Sequence, residues 1–381
     1  MSVSKAVCAV LFAASVSIAA VQAAGDEREI VFVANAEGGD VSLFDADARQ
    51  IVATIDINPE DKVVDRPGTA NYAQDTDVSP DGRTLFVSRG YLGDVAAFDI
   101  ATGKQVWQRS LGTIRADHMT ITPDGRFLFV SALVNHRVDR IDAKSGTIVG
   151  SFTTGVYPHD NQITEDGKQV INSSLGDMTV PLAKRDTVTP SEKSGHAYQL
   201  TVADVDSLRV LQRIRMPVGV RPWHMKPGGG EFYAQTSNSH SVIAYSYPDA
   251  KELRRIELPI AKSVTEGDYD FEAPHHGLAL SADGSTLCLA GRASDYAALV
   301  RAPKLELIAT IPVGDAPGWA VLAHNDQLCV LANTRDDTVS VISVTEKKEL
   351  ARVRAGDGPK HLTVAKIPAD VLASAQSRAR R

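Results

Sequence analysis

The chain has 381 residues, with 47 Asp and Glu against 40 Lys and Arg, so its formal net charge is −7. A net acidic chain of this kind is a poor match for nucleic acid, which leaves small-molecule ligands and protein partners as the classes to consider. Lys5, the apolar stretch from Ala6 to Ala20 and the small residues Val21 and Ala23 predict a secretory signal over residues 1–23. The stretch is short for a membrane-spanning helix, so no stable membrane span is expected after cleavage, and the processed protein is placed in the periplasm or outside the cell. Cleavage removes Lys5 and no acid, which moves the net charge from −7 to about −8.

A repeat follows the signal. Ser79-Pro80-Asp81-Gly82, Thr122-Pro123-Asp124-Gly125, Thr164-Glu165-Asp166-Gly167 and Ser281-Ala282-Asp283-Gly284 each precede a short apolar run such as Leu85-Phe86-Val87 or Phe127-Leu128-Phe129-Val130. A period of about 40 to 45 residues with such turns means stacked β-units. The third unit reads as four strands, His118 to Thr122, Phe127 to Ser131, Arg137 to Asp142 and Thr147 to Phe152. Pro227-Gly228-Gly229-Gly230 reads as another such turn, because it lacks the strand-to-helix setting of a phosphate loop.

Seven inner strands are predicted, beginning at Asp75, His118, Asp160, Pro222, Gly277, Trp319 and His361. The chain opens with Ile30-Val31-Phe32-Val33, a second strand lacking a first, and closes with His361 to Ala365, a first strand lacking successors. Joined, the two ends complete one blade and remove the sheet edges an open array would expose. The fold class is therefore all-β: a seven-bladed β-propeller over residues 24–368, closed by the C-terminal inner strand, with a short tail over 369–381. Cys288 and Cys329 hold equivalent positions in neighbouring units, where strands usually sit beyond disulfide reach, and are read as separate buried small hydrophobes.

Val313-Gly314-Asp315-Ala316-Pro317-Gly318, Gly155-Val156-Tyr157-Pro158, Gly219-Val220-Arg221-Pro222 and Val33-Ala34-Asn35 resemble the repeat of the YVTN family of secreted propellers. The resemblance covers nearly all of the processed chain and implies the fold rather than an activity.

The strand starts carry the chemistry. They hold Asp75, Asp117-His118, His159-Asp160, Trp223-His224, His275-His276 and Lys360-His361, so five of seven bear histidine although the chain has only ten. In a propeller these starts converge at the mouth of the central channel. Clustered imidazoles and carboxylates suit a transition metal, copper, zinc or iron, ahead of a haem-type cofactor. The candidate ligands are His118, His159, His224, His276, His361, Asp75 and Asp160; Trp223, Trp319 and His196 are candidates for lining a ligand or cofactor pocket. Strand phase, however, predicts that His159 and His276 point away from the side taken by His118, Asp160 and His361. Single histidines in such turns also cap backbone, and Trp223 and Trp319 equally suit packing between blades.

Three insertions, Asn58 to Gln74, Gly176 to Tyr198 and Ala261 to His275, are expected on the mouth face. The last carries Glu266, Asp268, Asp270 and Glu272, a calcium-binding pattern or a solvated surface. No Gly-x-Ser-x-Gly elbow and no Cys-x-x-Cys-His haem attachment site occurs. Ile171 to Asp177, following His159, resembles the selenium-binding protein family, which implies copper held by channel histidines, as in its methanethiol oxidase members. Cytochrome d1-type propellers are similar in fold and would imply a tetrapyrrole at the mouth. Propeller lactonases are similar in Pro123 to Leu128 and would make His118, His224 and His276 candidates for activating water. The sequence thus supports an exported propeller that binds a metal or metallocofactor at the channel mouth, as a metal-dependent oxidoreductase or, alternatively, a propeller lactonase, against a non-catalytic binding or assembly protein that holds a periplasmic partner, small-molecule ligand or cofactor on its mouth loops.

Overall fold

The computed structural model describes residues 27–64, 70–180 and 197–379. Twenty-eight strands, numbered β1 to β28 in chain order, form seven four-stranded antiparallel sheets. The innermost strands are β28 (Pro359–Pro368), β4 (Asp75–Val78), β8 (Ala116–Ile121), β12 (Pro158–Ile163), β16 (Val220–Met225), β20 (Leu278–Leu280) and β24 (Pro317–Ala323). The first blade is the expected closure: β28 pairs with β1 (Glu27–Asn35) from Glu27↔Pro368 to Asn35↔Pro359.

The repeated turn explains the motif that marks it. Ser79 donates its hydroxyl to Asp81 at 2.5 Å, and Gly82 N donates to Ser79 O at 2.8 Å. Gly82 has φ +67°, and a Cβ there would lie 2.4 Å from Lys366 O, so glycine is required on both counts. Thr122 with Asp124 and Ser281 with Asp283 repeat the hydroxyl-to-carboxylate bond, and Gly229 N closes the glycine-rich turn on Lys226 O at 2.8 Å.

Blades pack face to face through apolar layers. Phe32, Leu43 and Ile55 of the first blade meet Leu85, Ala96 and Phe98 of the second with no side chain exposed. Burying each large side chain contributes roughly 1.5–3 kcal/mol. Between the sixth and seventh blades the reading of two separate cysteines is corrected: Cys288 and Cys329 form a disulfide, with Cα atoms 6.4 Å apart. Small neighbours on the facing strands, Ala290, Ala297 and Ala320, let the two sheets approach this closely. The tail also gains structure. Helix α1 (Ala369–Ala379) buries Val371, Leu372 and Ala375 against the first two blades. No helix among the described residues is long and apolar enough to cross a membrane.

The inner strands share one irregularity that governs the site. In five of the seven blades the pairing of first and second strands skips a residue near the start of the inner strand. The residues within or beside these bulges are Asp117-His118, His159-Asp160, Arg221-Pro222, Gly318 and Lys360. A β-bulge breaks strict alternation and re-aims side chains toward the axis.

Candidate metal centre

The bulges bring together histidines that strand phase had separated. His118, His159 and His276 each offer a ring nitrogen, and the three atoms lie within 4.8 Å of one another. The expectation that His159 and His276 point away is thereby corrected: an extra residue in β12 resets the alternation at His159, and just before β20 both His276 N and Gly277 O bond to Ala290, so alternation is broken there too. The ring centroids of His118 and His159 are 4.5 Å apart and those of His159 and His276 5.5 Å.

Asp75 stands behind this group. Its Oδ2 lies 3.2 Å from His118 Nδ1 and its Oδ1 2.8 Å from His361 Nδ1. The same carboxylate accepts backbone N–H bonds from Thr76 at 2.6 Å and Met119 at 2.8 Å, so it ties the second and third blades together. Burial opposes its ionisation, but the adjoining His361 and His118 outweigh that and hold its carboxyl well below the usual range. Burial likewise disfavours a proton on His118, yet Asp75 outweighs it and raises the ring's pKa. Burial pushes His159 and His276 well below an ordinary histidine and lowers His361 too.

The nitrogen atoms are set for coordination. His276 Nδ1 lies 2.9 Å from Gly318 O, so it donates its proton there and leaves the Nε2 lone pair facing His159 Nε2 at 3.4 Å. His159 Nδ1 is buried without a hydrogen-bond partner. With no ion bound, His159 donates Nε2–H to that lone pair and its buried Nδ1 is left unpaired; a cation would take both Nε2 lone pairs instead, so the residues fit a transition ion of the copper, zinc or iron type. Trp319 caps the group, 3.9 Å from the His361 ring, 5.0 Å from His118 and 5.6 Å from His276.

Other candidates fall elsewhere. His224 is exposed and lines a second cavity of about 620 Å³ along the inner strands, which Asp75, Trp319 and His361 also border, but it does not join the group of three histidines. Asp160 faces that same cavity, and burial pushes its carboxyl up to about 7. Trp223 packs edge-on against Phe232 in the core and borders the second cavity rather than the one over the three histidines. His275 is buried beside Tyr296 and His240, while His276 takes the channel side. His196 lies outside the described residues. The acidic insertion does not converge on an ion: Asp268 caps Thr265, Asp270 pairs with Arg292 and Arg335, and Glu272 approaches Arg221.

Above the histidines opens a cavity of about 340 Å³, floored by His159 and His276 and edged by all three insertions through Asn71, Met178 and Phe271. Five cations line it, and sequence reasoning gave none of them a role: Arg115, Arg221, Arg292, Arg335 and Lys360. The available signal was a basic residue at or just before the bulge of three inner strands, Arg115, Arg221 and Lys360. Burial, with Arg115 and Arg292 nearby, pushes Lys360 down to about 7.

No protein-family model matches the chain. No curated protein matches it either. Among solved structures it is similar to a chain described as Kuenenia stuttgartiensis hydrazine synthase, with a TM-score of 0.62 and 18% identity, covering 82% of this chain and 92% of that one. At that identity the likeness speaks for architecture alone, and with the strand order it establishes the chain as a seven-bladed β-propeller.

Proposed function

We propose that this propeller is exported and binds one transition metal ion at the channel mouth, presenting it to a small-molecule ligand in the cavity above. The observation that carries the reading is the convergence of three imidazoles from three blades within 4.8 Å, two of them kept neutral by burial. Neutral imidazole is the form that ligates. His118, His159 and His276 would hold the ion, and Asp75 would orient His118 through Nδ1, with His361 sharing that carboxylate. Bound there, the ion would supply Lewis-acid or redox chemistry at a position reached from the mouth. Trp319 shields one side of the group from water.

Export is supported by the predicted signal and by the Cys288–Cys329 disulfide, since such bonds persist in oxidising compartments. The test is metal analysis of protein purified from its exported location without chelator or histidine tag. About one copper, zinc or iron per chain is expected, falling to a trace in His159→Ala/His276→Ala protein that retains its strand spectrum. Wild-type protein that carries no such metal and takes none up on addition would remove the proposal.

A further inference from the structure

The cavity over the histidines has more positive charge than its own carboxylates balance. Arg292 and Arg335 both meet Asp270, at 2.8 and 3.1 Å, and Arg335 also lies 3.8 Å from Asp315. Arg115 lies 3.4 Å from Asp117, and Arg221 4.0 Å from Glu272. Lys360 has no hydrogen bond or ion pair from its side chain among the described residues. Glu37, the remaining acid on the lining, is exposed. Three of the guanidinium groups are nevertheless sheltered: the side chains of Arg221, Arg115 and Arg292 are 3%, 12% and 14% exposed. Each of these three has one carboxylate beside it, so the cation left without a counter-ion is Lys360; an unpaired cation in such a site is costly, and an incoming anion relieves it.

The room for this charge is built into the backbone. A Cβ at Gly318 would lie 2.6 Å from Arg292 Nη1, so glycine at that bulge lets the guanidinium reach the cavity. Lys360 is itself the extra residue of the bulge in β28. Leu133, Leu175, Met178 and Phe271 give the wall an apolar part, beside the polar Asn71, Gln74 and Thr334. Phe271 is 48% exposed and lies 5.7 Å from the Arg115 guanidinium.

We propose that the mouth cavity binds a small organic carboxylate, its charged end held by Lys360 and the neighbouring arginines and its apolar body against Phe271, Met178 and Leu133, directly over His159 and His276. A volume of about 340 Å³ admits a molecule of this size and excludes a polymer. The inference stands on the charge and shape of the cavity and does not require the metal.

The test is calorimetric titration of chelator-treated protein with benzoate and hexanoate, each against its neutral amide. Each pair shares shape and differs in charge. At least one acid is expected to bind tenfold or more tightly than its amide, with affinity falling as salt rises. Lys360→Met should reduce that binding about tenfold, and Lys360→Met/Arg115→Met further. Acids that bind no better than their amides to folded wild-type protein overturn the proposal, as does a preference that survives both variants. Carboxylate binding by protein that never takes up metal would leave this inference standing and remove the metal centre; metal uptake without carboxylate preference would do the reverse.

Discussion

Asp75→Asn isolates the part played by the shared carboxylate. Asp75 uses two oxygens for four contacts: Oδ1 to Thr76 N at 2.6 Å and His361 Nδ1 at 2.8 Å, Oδ2 to Met119 N at 2.8 Å and His118 Nδ1 at 3.2 Å. An amide keeps one accepting oxygen, and its NH₂ group must face one of these two pairs, setting donor against donor. Each hydrogen bond to a charged acceptor is worth about 1.5–3 kcal/mol, and His361 Nδ1 meets the carboxylate as a charge contact without hydrogen-bond geometry, so losing one bond on the Oδ1 edge or two on the Oδ2 edge should lower stability by roughly 1.5 kcal/mol or more. Whichever edge carries the NH₂, His118 loses a full negative charge beside it. Loss of such an orienting carboxylate typically costs 10–100-fold in metal affinity, or about 1.4–2.7 kcal/mol. The assays are denaturant unfolding of the metal-free chain and competitive metal titration of folded protein. A variant that loses stability while binding metal as tightly as wild type would refute the orienting role and leave Asp75 a structural cross-link between blades.

Three further outcomes follow from separate parts of the molecule. Copper(II) uptake should quench the fluorescence of Trp319, which sits 5.0 and 5.6 Å from the His118 and His276 rings, and Trp319→Phe protein should show far less quenching at equal occupancy. Replacing Cys288 and Cys329 by alanine opens a link spanning 41 residues, for which chain entropy gives about 4 kcal/mol, and reductant should destabilise wild type but not the double variant in chemical denaturation. Burial raises the Glu60 carboxyl, but the Arg89 guanidinium 2.8 Å away outweighs this and brings it to about 2 from an ordinary 4.5. A depressed carboxyl stabilises above its unfolded pKa and loses that contribution as pH falls through the folded one. Wild type should therefore exceed Glu60→Gln in stability at pH 6, and the gap should close between about 4.5 and 2; an unchanged gap at pH 2 would contradict the pairing.

The blades were legible because their signals are local. A hydroxyl two residues before an aspartate, followed by glycine, forms the same turn wherever it occurs, and Ser79, Thr122, Thr164 and Ser281 announce it. Closure could be read too, since Ile30 to Val33 lacks a partner until His361 to Ala365 supplies one. The site was only half legible. His118, His276 and His361 were identified by repetition, but the directions of His118 and His361 depend on bulges and that of His276 on the irregular backbone before β20, which alternation cannot reveal. His224 shares the repeat position of the others and still stands outside the cluster, in a blade whose bulge holds Arg221 and Pro222 instead. The disulfide depends on how closely two blades pack, which the alanines around Cys288 set and the spacing of the cysteines does not.

Closure by β28 also orders events in time. His361 and Lys360 reside on the last strand in the chain, whereas Asp75 and Arg115 are placed by blades that precede it. A polypeptide still emerging from a ribosome or translocation channel can form most of its blades but cannot yet supply the ring that backs Asp75. It also leaves β1 as an open edge. The mouth is therefore finished only when the circle is: an unfinished chain lacks Lys360 and the ring that backs Asp75, and the proposed metal would meet its supporting carboxylate in final form only late in maturation.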